Sequence, residues 1–504
     1  MQVKDLFRFK SPEIRALHLT WIAFFLTFYV WFNMAPLATS MLKAEGSWLT
    51  QKDIKLFMIA NVALTIPARV IIGMLLDRFG PRRVFSALMV VMTVPVFVFA
   101  LGESREQLLV SRLLLSSVGA GFVVGIHMTS LWFPPKHIGF AEGFYAGWGN
   151  FGSAAAAITI PTIALQVFGG DDGWRYAMMV SGAIMFFYGI FYWFAITDGP
   201  KPGTQRKPRN PLALEVSSYK DLWLLIAFTV PMFGVLSILV WRVHGMGFLD
   251  TTGAILAYGA IVAVIIYQVI QTLRVNLPIL RKGVPEDDKY PFSTAASLNV
   301  TYFANFGAEL AVVSMLPMFF ELTWGLTAAA AGIIASSFAF VNLFARPLGG
   351  ILSDMFGSRR MVMMTYMFGI GVGFALMGLL DSDWPLFIAI VFTISCSIFV
   401  QGAEGATFGI IPAVKRRLTG QIAGMAGAYG NVGAVFYLFV LSSPGMTYQM
   451  FFFIISGGAF FAWLFCLIWL KEPEGAFNSE YHISSVDREI EAEHEAREAA
   501  ANKG

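Results

Sequence analysis

Arg69 and Arg346 each stand inside an apolar stretch long enough to cross a membrane, and each opens a copy of one string, ARVIIGMLLDRFGPRR at 68–83 and ARPLGGILSDMFGSRR at 345–360. Nine of the sixteen positions are identical. An arginine at the centre of a membrane helix costs about 2.5–3.5 kcal/mol on insertion scales, so it persists where it faces an internal cavity or a partner. No acidic residue shares the apolar stretch of Arg69 before Asp77, which belongs to the following loop. Two guanidinium groups at equivalent places in a duplicated chain predict a pseudo-symmetric anion site, because the planar fork matches a planar oxyanion through paired hydrogen bonds. Two carboxylates complete the set of reactive groups: Glu309, three residues after Phe306 and near the same helix face, and Glu404 within GAEGATFG. Burial disfavours a charged carboxylate, so both are candidates to carry a proton, the alternative being a hydrogen bond or ion pair between helices. His127, five residues beyond Phe122, is a weaker proton candidate.

The elements that must hold these residues follow from composition. The chain of 504 residues is 57% hydrophobic, 15% aromatic and 13% charged, too apolar for a soluble surface of that size. Runs of about 20 apolar residues predict about fourteen spans and an all-α polytopic membrane protein. Six fall near 16–42, 54–76, 84–102, 107–132, 139–166 and 175–196, and six near 292–320, 327–352, 360–380, 385–412, 420–441 and 447–470. Two further candidates, 221–242 and 253–273, are inserted between them. The expected organisation is an N-terminal six-helix half (1–200), a linker carrying the inserted pair (201–290), a C-terminal half (291–472) and a polar tail (473–504), whose Ala/Glu-rich composition reads as a solvated helix or disordered segment without chemistry. Basic loops containing Arg82 and Arg83, Lys136, Lys201 and Arg206, Arg281 and Lys282, Arg359 and Arg360, and Lys415 to Arg417 alternate with loops bearing Glu103, Glu106, Asp171, Asp172, Asp381 and Asp383, the loop with Lys43, Lys52 and Lys55 being an exception. The positive-inside rule then puts both termini in the cytoplasm of a multi-pass cytoplasmic-membrane protein. The charged opening MQVKDLFRFK is not a cleaved signal peptide by its pattern. Cys396 and Cys466 lie in apolar runs as packing residues and offer neither a disulfide framework nor a metal cluster. With no cofactor loop, no clustered Cys/His set and no nucleophile motif, neither an enzyme nor a metal or cofactor site is expected, and nothing points to nucleic acid.

The duplication is deeper than one string. GWGNFG at 147–152 is echoed by AYGNVG at 428–433, and TFYVWFNMAPLATSM at 27–41 by TYFANFGAELAVVSM at 301–315, at offsets of 274 to 281 that span whole halves. Such repeats place a substrate site at their interface near the bilayer midplane. The loop residues Gly73, Asp77, Arg78, Gly80 and Arg83, with Asp354 in the second copy, resemble the cytoplasmic gating motif of the major facilitator superfamily. Within that superfamily, GAGFVVGIHMTSLWFPPKHIGFAEGFYAGWGNFGSA and EGATFGIIPAVKRRLTGQIAGMAGAYGNVG resemble the two signature regions of the nitrate/nitrite porter family, and NLFARPLGG, TWGLT and YFANFG add to the match, which covers both halves.

That resemblance implies the major facilitator fold, nitrate and nitrite as substrates, and a pocket in which Arg69 and Arg346 meet the anion while Phe122, Tyr302 and Phe306 sandwich it. Asn150 matches a position near the substrate and Asn431 is its repeat mate, both in helices whose glycines (Gly147, Gly149, Gly427, Gly430) allow close helix contact. Asp77 is expected to act as a conformational latch. Moving one negative charge into a cell held at 100 mV negative inside costs about 2.3 kcal/mol, so uptake needs a coupled partner: protons, or exchange for internal nitrite. The paired G-N signatures and GAEL at 307–310 resemble the uptake members of plants, fungi and cyanobacteria. The expectation is proton-coupled nitrate uptake by alternating access in a protein working as a monomer within the bilayer, with nitrate/nitrite exchange as the alternative and a non-transporting nitrate sensor behind both.

Overall fold

The computed structural model describes residues 3–44, 47–133, 135–199, 210, 213–356, 358–472, 484–489 and 492. Fourteen helical segments are long and apolar enough to cross a membrane, as the hydropathy pattern predicts. They are α1 Pro12–Lys43, α2 Gln51–Gly73, α3 Pro81–Ala100, α4 Arg105–Thr129, α5 Phe140–Phe168 and α6 Gly173–Ala195, then the inserted pair α7 Tyr219–Gly245 and α8 Thr251–Lys282. The second half comprises α9 Glu286–Trp324, α10 Ala328–Ser353, α11 Arg359–Gly378, α12 Leu386–Ile411, α13 Gly420–Leu441 and α14 Tyr448–Trp469. Among the described residues there is no strand. Backbone groups have no water to bond in a bilayer, so helices are the economical way across.

The spans nearest the middle of the protein are broken, and the breaks are duplicated like the sequence. Helical hydrogen bonding lapses at Leu64 in α2 and at Val341 in α10, in each case five residues before the arginine, and again around Phe32–Met34 in α1 and at Asn305 in α9. The groups freed by a break must find partners inside the protein. In α2 the Leu64 N–H donates to Ser116 Oγ at 3.0 Å, and Thr65 Oγ1 donates to the Ser116 carbonyl at 2.5 Å. In α9 the Asn305 side-chain oxygen accepts from the Phe306 N–H at 2.5 Å.

The halves meet along two seams, α2 against α13 and α5 against α10. Glycine makes close helix approach possible, at the α5–α10 seam and within the second half. A Cβ at Gly147 would lie 2.7 Å from the Asn342 carbonyl, and one at Gly307 would lie 2.7 Å from the Gly433 Cα. Gly405 on α12 lies so close to the Arg346 carbonyl on α10 that any side chain there would drive the two helices apart.

The inserted pair is tied to the second half. Val216 N–H donates to Asn276 Oδ1 (2.8 Å), the Asn276 amide donates to the Leu214 carbonyl (3.0 Å), Tyr290 Oη donates to the Glu215 carbonyl (2.6 Å), and Tyr429 Oη on α13 donates to the Phe228 carbonyl (2.5 Å). α7 also lies along the α2–α13 seam, whereas α8 packs on α7 and leaves Ile255, Leu256, Val262 and Ile266 exposed, as a lipid-facing helix requires.

At the end away from the basic loops, Glu321 of α9 receives Lys43 Nζ at 2.9 Å and Thr39 Oγ1 at 2.5 Å from α1, and Lys55 of α2 donates to the Leu441 carbonyl of α13 at 3.1 Å, so polar contacts join the halves there. At the basic-loop end, the carboxylate that follows the sixth span of each half caps the third. Asp198 Oδ1 accepts from the Arg82 N–H at 2.6 Å, and Glu472 accepts from the Arg359 N–H at 2.8 Å and from Ser358 Oγ at 2.9 Å. Gly80 has φ of +79° and its Cβ would strike Asp198, which accounts for glycine at that position, whereas a Cβ at Gly73 would meet nothing within 4 Å. Arg83 is exposed, and the side chains of Asp77, Arg78 and Asp354 lie outside the described residues, as do Lys201 and Arg206.

One expectation needs correction. The tail is not wholly without contacts: residues 485–489 form a helical turn whose Ser484 Oγ donates to Asp288 Oδ1 at 2.7 Å and whose Ser485 N–H donates to Asp287 Oδ2 at 2.6 Å. Asp288 also pairs with Lys415 at 2.6 Å and with Arg417, which reaches Glu215 at 2.7 Å. Burial alone would lower the Arg417 pKa, yet Asp288 and Glu215 hold it above the ordinary arginine value. Composition read the tail as solvated because its partners are acidic groups far away in sequence.

The α10–α12 contact supplies a test. Gly405→Val inserts three carbons where backbone meets backbone, and overpacking of this kind costs about 1–3 kcal/mol or more. The expected result is a lowered melting temperature and reduced monodisperse yield in detergent, read by fluorescence-detected size exclusion.

Candidate functional site

Between the seams lies a buried cluster drawn from both halves. Arg69 of α2, Phe122 of α4, Tyr302 and Phe306 of α9, and Arg346 of α10 converge there, each at most 3% exposed. The Phe122 and Phe306 rings lie 6.5 Å apart between centroids with 28° between their planes. Both guanidiniums flank this ring pair: the Arg69 Cζ is 5.2 Å from the Phe122 centroid and 5.7 Å from that of Phe306, and the Arg346 Cζ is 6.0 Å and 5.8 Å from the same two. Tyr302 stacks on Phe306 at 4.9 Å.

The arginines share a repeat position but not an environment. Arg346 Nη2 donates to Tyr302 Oη at 2.7 Å, and its Nη1 forms an ion pair with Glu404 Oε2 at 2.7 Å. All three nitrogens of Arg69 lack a hydrogen-bond partner among the described residues. An unpaired buried cation is expensive, and the five N–H donors of Arg69 have no acceptor among the described residues. Burial by itself does not leave an arginine unpaired. Arg112, which sequence reasoning did not single out, is equally buried, but its Nη2 donates to Asn33 Oδ1 at 3.0 Å, its Nη1 reaches Asn61 Oδ1 at 3.5 Å, and its guanidinium lies 4.4 Å from the Phe99 ring, all within the first half.

The two carboxylates expected from sequence prove to be one unit. Glu309 Oε1 accepts from Asn342 Nδ2 at 2.6 Å and from Gln401 Nε2 at 3.0 Å, and its carboxyl group lies beside that of Glu404. Glu404 thus bridges Glu309 to Arg346. Asn150 is fully buried with neither amide atom bonded among the described residues. Asn431 spends its amide on the Gly427 carbonyl at 3.1 Å, leaving its Oδ1 unbonded. His127 lies on α4, five residues beyond Phe122.

Two of the glycines near Asn431 serve the site rather than a helix contact. A Cβ at Gly427 would collide with Arg69 Nη1, and one at Gly430 would lie 2.5 Å from Phe306 and 2.9 Å from Tyr302. Sequence reasoning also missed Phe408. It closes the aromatic wall edge-on, 5.3 Å from Phe122 and 5.4 Å from Tyr302. The signal was present: GATF at 405–408 echoes GAGF at 119–122, so Phe408 is the repeat mate of Phe122, and it lies one turn beyond Glu404 on the same face. Tyr145 braces Phe122 from behind through hydrogen bonds to the Gly121 and Phe122 carbonyls at 3.2 and 3.3 Å. Among the described residues no group of three His, Cys, Asp or Glu could hold a metal ion.

Two six-helix halves around one buried polar cluster define a multi-pass membrane protein of the major facilitator class. The sequence model of the Major Facilitator Superfamily matches residues 20–279 and 298–485. The fold resembles the xylose transporter XylE from E. coli in a partially occluded inward-open conformation, with a TM-score of 0.61 at 14% identity over 92% of this chain and 99% of that one. Closer relatives are the nitrate/nitrite transporters NrtP of Picosynechococcus sp. (44% identical) and Nostoc punctiforme (42% identical), each aligned over 95% of this chain and 96% of the relative. The high affinity nitrate transporter 2.5 of Arabidopsis thaliana is 30% identical over 85% of this chain and 74% of its own. The chain belongs to the nitrate/nitrite porter family of the major facilitator superfamily, and it is not an enzyme.

Gly427 offers a direct probe of the site. Gly427→Ala sets a methyl group against the Arg69 guanidinium without altering charge, and displacing one charged hydrogen-bond donor set loses about 1.5–3 kcal/mol of ligand binding. Binding of a planar oxyanion such as nitrate, followed by calorimetry in detergent, is expected to weaken about tenfold or more, with the melting temperature little changed.

Proposed function

We propose that this protein carries nitrate, and nitrite as a second substrate, across the cytoplasmic membrane by alternating access, coupled to protons moving in the same direction. The observation that carries the reading is the unpartnered Arg69 guanidinium beside two near-parallel rings 6.5 Å apart. Two stacking contacts of about 3.5 Å need about 7 Å between the rings, so a guest one atom thick enters with only a slight parting of the pair, which suits a planar trigonal or bent oxyanion over a tetrahedral one. Arg69 and Arg346 supply charge and forked donors, Phe122, Tyr302 and Phe306 supply the faces, and Asn150, with two unbonded amide atoms, supplies a further polar contact; Asn431 has only its Oδ1 to offer. The printed names of the cyanobacterial and plant relatives support the same cargo. All of these groups come from one chain, which supports function as a monomer.

Coupling follows from energetics. Entry of an anion against a negative interior must be offset by something that enters with it or leaves in exchange. Glu309 and Glu404 stand next to Arg346, where the charge of an arriving anion favours protonation of a neighbouring carboxylate. Glu309 is the preferred carrier, because Glu404 is engaged by the arginine. Asp77, Arg78 and Asp354, which lie in the last helical turns before the connecting loops, and Arg83, in the first turn after one, are the gate of the basic-loop end, which the positive-inside rule assigns to the cytoplasm together with both termini. At the opposite end the Lys43–Glu321 contact between halves must break for the site to open that way.

Two measurements test this reading. Arg69→Lys keeps the charge but loses the planar fork, and it is expected to raise the nitrate concentration needed for half-maximal uptake in proteoliposomes by about tenfold or more; a near-normal value overturns the site. Glu309→Gln is expected to abolish nitrate accumulation driven by a pH gradient while nitrate exchange at equal pH continues. Accumulation that persists in this variant moves the proton to Glu404 or the coupling to nitrite exchange.

A further inference from the structure

We propose that Glu404 sets the net charge of the anion site at one, so that the pocket selects monovalent cargo; the inference rests on the anion-carrier reading above and names the residue that determines which charge is carried. Four ionisable groups surround the ring pair and its flank: Arg69, Arg346, Glu404 and Glu309. Arg346 and Glu404 form a fully buried ion pair at 2.7 Å, and Arg69 has no acidic partner among the described residues. Glu309 is held by Asn342 and Gln401 rather than by an arginine, and as the proton carrier proposed above it is neutral in the loaded state. The four groups then sum to one positive charge when the proton is on board. One nitrate or nitrite brings the sum to zero, and a dianion leaves an uncompensated negative charge in an interior where such a charge is costly.

The repeat makes this charge assignment specific. In the register that aligns GATF at 405–408 with GAGF at 119–122, the position equivalent to Glu404 is Val118. The duplicated arginines are therefore equal in sequence and unequal in charge state, one neutralised by a residue that only the second half carries. Without that residue, symmetric halves would present two positive charges to a cargo that bears one, and release would demand separating the anion from both.

The test is a charge-balance cycle on the purified full-length protein, with nitrate as the probe, read by calorimetric binding and by uptake into proteoliposomes. Glu404→Gln is expected to tighten nitrate binding by about fivefold or more and to lower kcat, the opposite direction from a merely structural lesion. Arg346→Gln is expected to weaken binding, and the double variant Arg346→Gln with Glu404→Gln, which restores a single net positive charge, is expected to bind about tenfold tighter than Arg346→Gln alone, within the range of coupling energies seen for contacting residues. Binding by Glu404→Gln that is unchanged or weaker overturns the proposal, and so does a double variant no better than Arg346→Gln. Should Arg346→Gln fail to fold, the direction of the Glu404→Gln shift decides alone. A wild-type protein that does not bind nitrate overturns the carrier reading and this inference with it, whereas wild-type binding without the charge dependence overturns only the inference.

Discussion

A bare positive charge in a dry interior governs this structure. Arg69 has no acidic partner and no hydrogen-bond acceptor among the described residues, and the free-energy penalty of that arrangement has to be tolerated by everything around it. The aromatic faces of Phe122 and Phe306 lie against it and soften the penalty by cation–π attraction. Gly427 is glycine because the guanidinium occupies the space a methyl group would need. The broken helix that delivers Arg69 is held by Ser116, whose backbone and hydroxyl accept the groups the break leaves over.

The second half answers this with a different arrangement on the same scaffold. Arg346 sits after the same break, five residues beyond Val341, but it is bound to Glu404 and Tyr302, and through Glu404 it feels Glu309. In the proposed cycle, anion binding and proton binding are thereby parts of one electrostatic unit, and their coupling needs no long pathway, because a charge arriving beside Arg346 favours protonation of a carboxylate next to it.

Close helix approach is the mechanical condition for such a unit. Carbonyl-to-glycine contacts at Gly405, Gly147 and Gly307 bring α10 to α12, α5 to α10 and α9 to α13 at distances that any larger residue would prevent. Of these contacts only that of α5 with α10 joins the two halves, which away from the basic loops are also tied by Lys43 with Glu321 and by Lys55 with the end of α13. The inserted helices are fastened to the second half by Tyr290 and Tyr429.

Much of this was legible without coordinates. Hydropathy alone determines fourteen spans, because a bilayer imposes one length on every crossing helix. The duplicated strings determine which arginines, asparagines and glycines correspond, and the signature regions determine the family. Phe408 was equally readable, from the GATF and GAGF echo. Other features were not available to any reading of one sequence. That Glu404 neutralises Arg346 and touches Glu309, that Gly427 exists for Arg69, and that the tail's Ser484 bonds Asp288 are all contacts between residues tens to hundreds of positions apart. Periodicity and hydropathy report how each helix meets the membrane, one element at a time. Which side chains face each other across the seams is set by how the helices rotate and break against one another, and that is decided only when all of them are packed.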